Sequence, residues 1–189
     1  MHTDPRSTFV ERPNPRPLPT LPPVGETTLP WFALRTRSNF EKVASVALEN
    51  KGLVPYLPSY KSRRRWSDRV VVADTPLFQG YVFCRFDPLN RLPILTTTGV
   101  ISIVGCGTEP ASIDDQEIDA IEAILRSGLA TEPCPFLREG QKVRVRRGSL
   151  AGVEGILTKK KSDFRLVISV TMLQRSIAVE IDREWIEVV

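Results

Sequence analysis

The stretch Trp31-Phe-Ala-Leu-Arg-Thr-Arg-Ser-Asn-Phe-Glu41 changes its character halfway. Trp31 to Arg37 reads as a strand, and alternation along it sends Phe32 to the face opposite Trp31. Ser38-Asn-Phe-Glu41 is the pattern of a capping box, in which Ser38 caps a helix and Glu41 reaches back. Phe40, Val43, Ala44, Ala47 and Leu48 then fall on one helical face, and Lys51-Gly52 ends the helix with a basic last turn and a C′ glycine. Leu53 to Tyr60 returns as a strand whose Pro55 and Pro58 suit an edge or irregular position. A strand, a helix and a returning strand make this part of the chain a unit of mixed helix and strand.

The same reading extends toward the C-terminus. Lys61 to Arg69 is polar and basic between two β-rich runs, which predicts the tip of a long hairpin returning through Val70 to Ala73. Pro76 to Phe86 is a further strand, rich in aromatics, with a bend at Gln79-Gly80. Asp87-Pro88 starts a short helix, with Pro88 near its first position. Val100 to Val104 is an apolar strand closed by Gly105-Cys-Gly107. Ser112 to Glu117 opens an acidic-ended helix with apolar spacing at Ile118, Ile121, Ala123 and Ile124 or Leu125, ending at Gly128. Residues 129–138, with Pro133-Cys-Pro135, read as a linker. After it, short strands at Val143–Val145, Gly155–Leu157, Leu166–Val170, Ile177–Ile181 and Ile186–Val189 recur about every ten residues, the signature of a small closed β-barrel over 139–189.

Of the 16 prolines, eight lie in residues 1–30, which predicts a disordered tail before a unit spanning 31–128. The chain of 189 residues is 41% apolar and 25% charged, ordinary values for a globular protein. Histidine occurs once, as His2, so a folded Ser-His-Asp or Cys-His site and histidine-ligated zinc are excluded. Cys84, Cys106 and Cys134 are far apart and form no CxxC, which argues against a disulfide framework and for a reducing cytoplasm. No apolar run is long enough for a membrane helix, and no signal-peptide core is expected at the N-terminus. Acids at Asp114, Asp115, Glu117, Asp119 and Glu122 are explained by a solvated helix face. Gly148 to Gly152 lacks the lysine and serine of a phosphate loop. No catalytic constellation or cofactor is expected.

Charge is divided along the chain. Residues 35–69 hold nine Lys/Arg against three acids, for a net of +6, whereas residues 74–132 hold nine acids against three bases, for −6. Separated signs suggest that one face meets nucleic acid and others do not. Arg63, Arg64 and Arg65 beside Trp66 can engage phosphates and bases, or form a solvated charged turn. A second candidate surface is apolar: Trp31, Phe32, Phe78, Tyr81, Phe83 and Phe86 leave room for an exposed patch that binds a protein.

Taken in order, Trp31-Phe-Ala-Leu34, the following helix, Pro76-Leu-Phe-Gln-Gly-Tyr-Val-Phe83 and Gly99 to Ile118 resemble the N-terminal domain of the NusG family of transcription elongation factors. Gly140-Gln-Lys-Val-Arg-Val145 with Gly148 to Gly155 resembles the family's KOW domain. Lys61 to Asp68 and Leu173 to Ile181 look most like the specialised UpxY and RfaH-like antiterminators, which act on long polysaccharide operons. The resemblance implies an α+β chain: an antiparallel sheet flanked by helices, followed by a five-stranded SH3-like barrel. It implies docking on the clamp helices of the RNA polymerase β′ subunit and a bridge to the β subunit, with pausing and termination suppressed. Phe32, Arg35, Phe78, Tyr81 and Phe83 fall at polymerase contacts or their supports. Arg37, Asn50 and Lys51 fall where RfaH-like proteins touch the non-template DNA strand, and Leu173 with Arg175 where the KOW domain meets a partner such as a ribosomal small-subunit protein. Three positions depart from the family pattern: Gln79 replaces a proline, Arg91-Leu-Pro93 occupies a threonine-rich β-subunit contact, and Leu173 replaces a phenylalanine. The alternatives are a housekeeping elongation factor and a nucleic-acid or ribosome-associated KOW protein without polymerase affinity.

Overall fold

The computed structural model describes residues 29–66, 69–134, 136, 140–160 and 163–189. The proline-rich segment 1–28 and Ser67-Asp68 lie outside the described residues.

The N-terminal half is an antiparallel sheet with a helix on each face. Its strands are β1 (Trp31–Thr36), β2 (Val54–Tyr56), β5 (Tyr81–Arg85) and β6 (Val100–Ile103), in the order β2-β5-β1-β6. A short strand, β9 (Ser112–Ile113), pairs with the start of β1 beside β6, which takes its other half. Between β2 and β5 the chain makes a separate two-stranded sheet from β3 (Ser59–Trp66) and β4 (Arg69–Pro76). Gly105–Cys106 (β7) and Glu109–Pro110 (β8) form a small hairpin.

Strand alternation divides the side chains of β1 as expected. Phe32 and Leu34 join Val82, Cys84 and Phe86 under helix α1 (Glu41–Glu49) and the single turn α2 (Leu92–Leu95). Trp31 and Ala33 face the opposite way, under helix α3 (Asp115–Ser127), whose Ile118, Ile121 and Ile124 are buried. The Asp114 side chain caps α3 by accepting from the Gln116 N–H at 2.8 Å, and Gly128 at φ +70 ends it in the left-handed conformation. The helix cap thus falls at Asp114, two residues after the expected Ser112, because Ser112 and Ile113 are drawn into β9.

Three more local expectations are corrected. The first position before α1 is Phe40, not Ser38, and no side chain caps that helix. The face expected of α1 is also only half buried: Ala44 and Leu48 are in the core, Ala47 is half-buried, and Phe40 and Val43 are exposed. The short helix sits at Leu92–Leu95, because Asp87 instead accepts the Leu89 N–H at 2.9 Å and holds residues 87–90 in a turn.

The C-terminal half is an antiparallel sheet ordered β10-β14-β13-β12-β11-β15. Its members are β10 (Thr131–Cys134), β11 (Gln141–Val145), β12 (Glu154–Lys160), β13 (Asp163–Val170), β14 (Arg175–Glu180) and β15 (Ile186–Val188). Five of them answer to the strands expected of the barrel. The sixth, β10, lies in the stretch read as a linker: Thr131 to Cys134 pair with Val179 to Ser176. Pro133 can take part because β10 is an edge, where one missing donor is tolerated. The apolar cluster above Trp31 and α3 continues into this sheet through Val143, Leu166, Ile168 and Ile177.

Candidate polymerase and nucleic-acid interface

On the α3 side of the N-terminal sheet the aromatic rings form a connected layer. Trp31 and Tyr56 have ring centroids 6.1 Å apart, Tyr56 and Phe83 6.3 Å, and Phe78 meets Phe83 edge-on at 5.5 Å. Trp31, Phe78 and Phe83 are buried, so they form the floor of the candidate protein-binding surface and not its exterior. Burial of the Tyr56 hydroxyl, with Glu122 nearby, pushes its pKa well above the ordinary tyrosine range. Phe32 lies on the other face, its ring tilted against Phe86 with centroids 4.5 Å apart and nearly inaccessible, so its role is support.

The rim of that surface is what solvent reaches. Arg35 is exposed and directly opposite half-buried Tyr81 across β1 and β5. Tyr81 follows a tight turn, in which its N–H returns to the Phe78 carbonyl at 3.1 Å. Gly80 in that turn has φ +84, a conformation that requires glycine. Arg85, at the far end of β5, packs over the Trp31 ring at 4.6 Å and donates to Asp115 at 2.7 Å, which ties the sheet to the start of α3. Nothing in the local sequence around Arg85 points to that double contact.

The residues expected at nucleic acid are not gathered in one place. Arg37 is exposed just before α1, where its N–H bonds the Gly99 carbonyl at 2.9 Å. Asn50 and Lys51 stand beyond the other end of the helix, about 14 Å away at 1.5 Å per residue over nine residues. Lys51 is committed internally: its Nζ donates to the Pro93 carbonyl at 2.7 Å, to Thr97 Oγ1 at 2.9 Å and to Thr96 Oγ1 at 3.1 Å. Arg63, Arg64 and Arg65 are not at a hairpin tip but within β3, opposite Val72, Val71 and Val70. The chain reverses instead between Trp66 and Arg69.

Leu173 is buried in a 3₁₀ turn before β14, whereas Arg175 is exposed. Arg175 reaches the N-terminal half, lining a polar cleft of about 610 Å3 with Asn39, Glu41, Asp74 and Gly80. A larger cavity, about 1000 Å3, lies between α3 and the C-terminal sheet, bounded by Gln116, Asp119 and Ala123 on one side and Val143, Gly155 and Ile168 on the other. Across this junction Glu117 accepts the Thr171 N–H at 3.4 Å. Among the described residues no group of His, Cys, Asp or Glu has the arrangement of a metal site. Among the described residues no helix is long and apolar enough to cross a membrane.

Sequence reasoning missed a third feature. Leu89, Leu92 and Leu95 are exposed at 91%, 70% and 49%, an apolar ridge on and beside α2. Their three-residue spacing is visible in the sequence, but a single turn gives no periodicity from which to read its outer face.

The fold has relatives among known proteins. A family model described as "Transcription termination factor nusG" matches residues 29–122. The chain is similar to the "Transcription termination/antitermination protein NusG" of Helicobacter pylori strain ATCC 700392 / 26695, 23% identical over 172 residues, with 83% of this chain and 97% of the relative covered. The protein of the same description from Helicobacter pylori strain J99 / ATCC 700824 is 24% identical over 166 residues, covering 80% and 93%. A solved structure described as "Domain interaction in Thermotoga maritima NusG" shares the fold at TM-score 0.50 and 17% identity, covering 84% of this chain and 96% of that one.

Proposed function

Because the chain belongs to the NusG family, we propose that it is a transcription elongation and antitermination factor that binds RNA polymerase, of the specialised type that serves particular long operons. It consists on this reading of a polymerase-binding domain over 31–128 and a KOW domain over 139–189. The observation that carries the reading is the Arg35–Tyr81 rim above the Phe78–Phe83 floor. Such a rim offers an aromatic edge and a cation to a helical partner, with a preformed apolar base beneath it. The partner is the β′ clamp helices, and the leucine ridge at Leu89, Leu92 and Leu95 meets the β subunit across the cleft. The protein acts in the cytoplasm, by binding and without chemistry of its own.

Nucleic-acid contact rests on Arg37 and Asn50, which are exposed, and on the β3 arginines. Lys51 acts indirectly, by fixing α2. A ribosomal small-subunit protein is met through Arg175, with Leu173 beneath it as support. The full chain should bind isolated clamp helices, and nascent-RNA sequencing should show lost read-through on a few long operons when the protein is absent. Replacing Arg63, Arg64 and Arg65 together with Ala should leave clamp-helix binding intact. The same change should reduce the salt slope of DNA binding by roughly one unit per engaged arginine. Unchanged salt dependence would return the cluster to a solvated basic strand. A chain that binds DNA but no clamp helices would favour the nucleic-acid-associated alternative.

A further inference from the structure

Glu41 has the right spacing to close a capping box, yet its carboxyl group turns away from the start of its own helix. Its Oε1 accepts the N–H of Gly80 at 2.7 Å, across 39 positions of sequence. The carbonyl of the same glycine accepts the Thr36 N–H at 2.8 Å. The Gly80 peptides are thus held from both sides, by a helix and by a strand. Glu41 is only 7% exposed, and among the described residues no salt bridge involves it. Burying a carboxyl group for one hydrogen bond to a turn is costly, and a turn at this position could be solvated instead. The opposite end of α1 is tied as well, by Lys51 to the end of α2. A nine-residue helix therefore spans the turn before Tyr81 and the base of the leucine ridge, with a charged side chain as the fastener at each end.

We propose that Glu41 is a positioning residue for polymerase binding: it fixes the Phe78–Tyr81 turn, and so the Arg35–Tyr81 rim, without touching the partner. This rests on the polymerase-binding reading above. The test uses the full chain with E41A, E41Q and E41D. Gln keeps an acceptor at the same reach, Asp keeps the charge and loses the reach, and Ala loses both.

Amide exchange at Gly80, measured by NMR, should accelerate at least about tenfold in E41A and E41D. Affinity for isolated β′ clamp helices should fall by a similar factor, the scale of one hydrogen bond. E41Q should stay within about twofold of the parent in both readings. If E41A does not fold, the comparison of E41D with E41Q carries the test. Gly80 exchange that is the same in all variants overturns the proposal. So does clamp-helix affinity that follows thermal stability and is not rescued by Gln. If the parent chain itself fails to bind clamp helices, the polymerase reading fails, while Gly80 exchange still decides whether Glu41 holds the turn.

Discussion

On the α1 side of the N-terminal sheet, Phe32, Leu34, Val82, Cys84 and Phe86 meet Ala44, Leu48 and Ile94, and the apolar cluster ends there. On the α3 side, Trp31, Phe78 and Phe83 meet Ile118, Ile121 and Ile124, and the cluster runs on into Val143, Leu166 and Ile177 of the other sheet. The strands are the same; the closure differs. One face is completed by a helix that follows its strand within a few residues. The other is completed partly by strands that follow α3. The α3-side face therefore depends on a distant part of the chain for its closure, and the α1-side face does not.

The largest test of that contrast is Phe78→Ala. As a buried ring it should cost about 3–5 kcal/mol of stability, measured by denaturant unfolding. A folded variant of near-parental stability would move Phe78 back to the surface. Next, Leu48→Ala and Ile121→Ala should each cost about 2–5 kcal/mol, since both side chains are fully buried. Only Ile121→Ala should shift the amide resonances of Val143 and Ile168. Equal shifts from Leu48→Ala would mean that the two faces are not independent.

A smaller effect is expected at the cysteines. Burial pushes the Cys84 thiol up to about 12, so it is protonated at neutral pH and slow to alkylate, whereas Cys106 is exposed. Cys84→Ser places a hydroxyl inside the α1-side cluster and should cost about 1–3 kcal/mol. Cys106→Ser should leave the unfolding midpoint unchanged.

The smallest effect belongs to Asp119, on the α3 wall of the cavity that faces the C-terminal sheet. Partial burial, and then the neighbouring Asp115, hold its carboxyl above the usual aspartate range. The folded chain therefore binds this proton more tightly than the unfolded one. The resulting stability is present below the ordinary aspartate pKa and is lost as pH rises through the raised one. Asp119→Asn should stabilise the chain at neutral pH and make no difference in acid. Urea unfolding at the two conditions checks the sign.

Much of this architecture was legible because it is local. The alternation at Trp31 and Phe32, the isoleucine spacing of α3 and its closing Gly128 depend on neighbours in sequence, and each is observed. What failed depended on partners far along the chain. Ser38 and Glu41 have capping-box spacing, but Gly80 competes for the carboxyl group. Lys51 has the look of a free cation until Pro93, Thr96 and Thr97 fold over it. Pro133 marks a linker by composition, and only an available edge on β14 makes a strand of it. The candidate site was legible as a set of aromatics, but not in its division into buried floor and solvent-facing rim.

That sixth strand gives the two halves of the molecule a tether of two lengths. With β10 paired to β14, three residue steps separate Gly128 at the end of α3 from Thr131, a reach of about 10 Å. The paired end of the C-terminal sheet can then stand no further than that from the end of α3. If β10 peels away, the free chain runs from Gly128 to Gln141, thirteen steps and about 45 Å of reach. Local concentration falls steeply with tether length, so four residue pairs of ladder decide which of two very different local concentrations one half presents to the other.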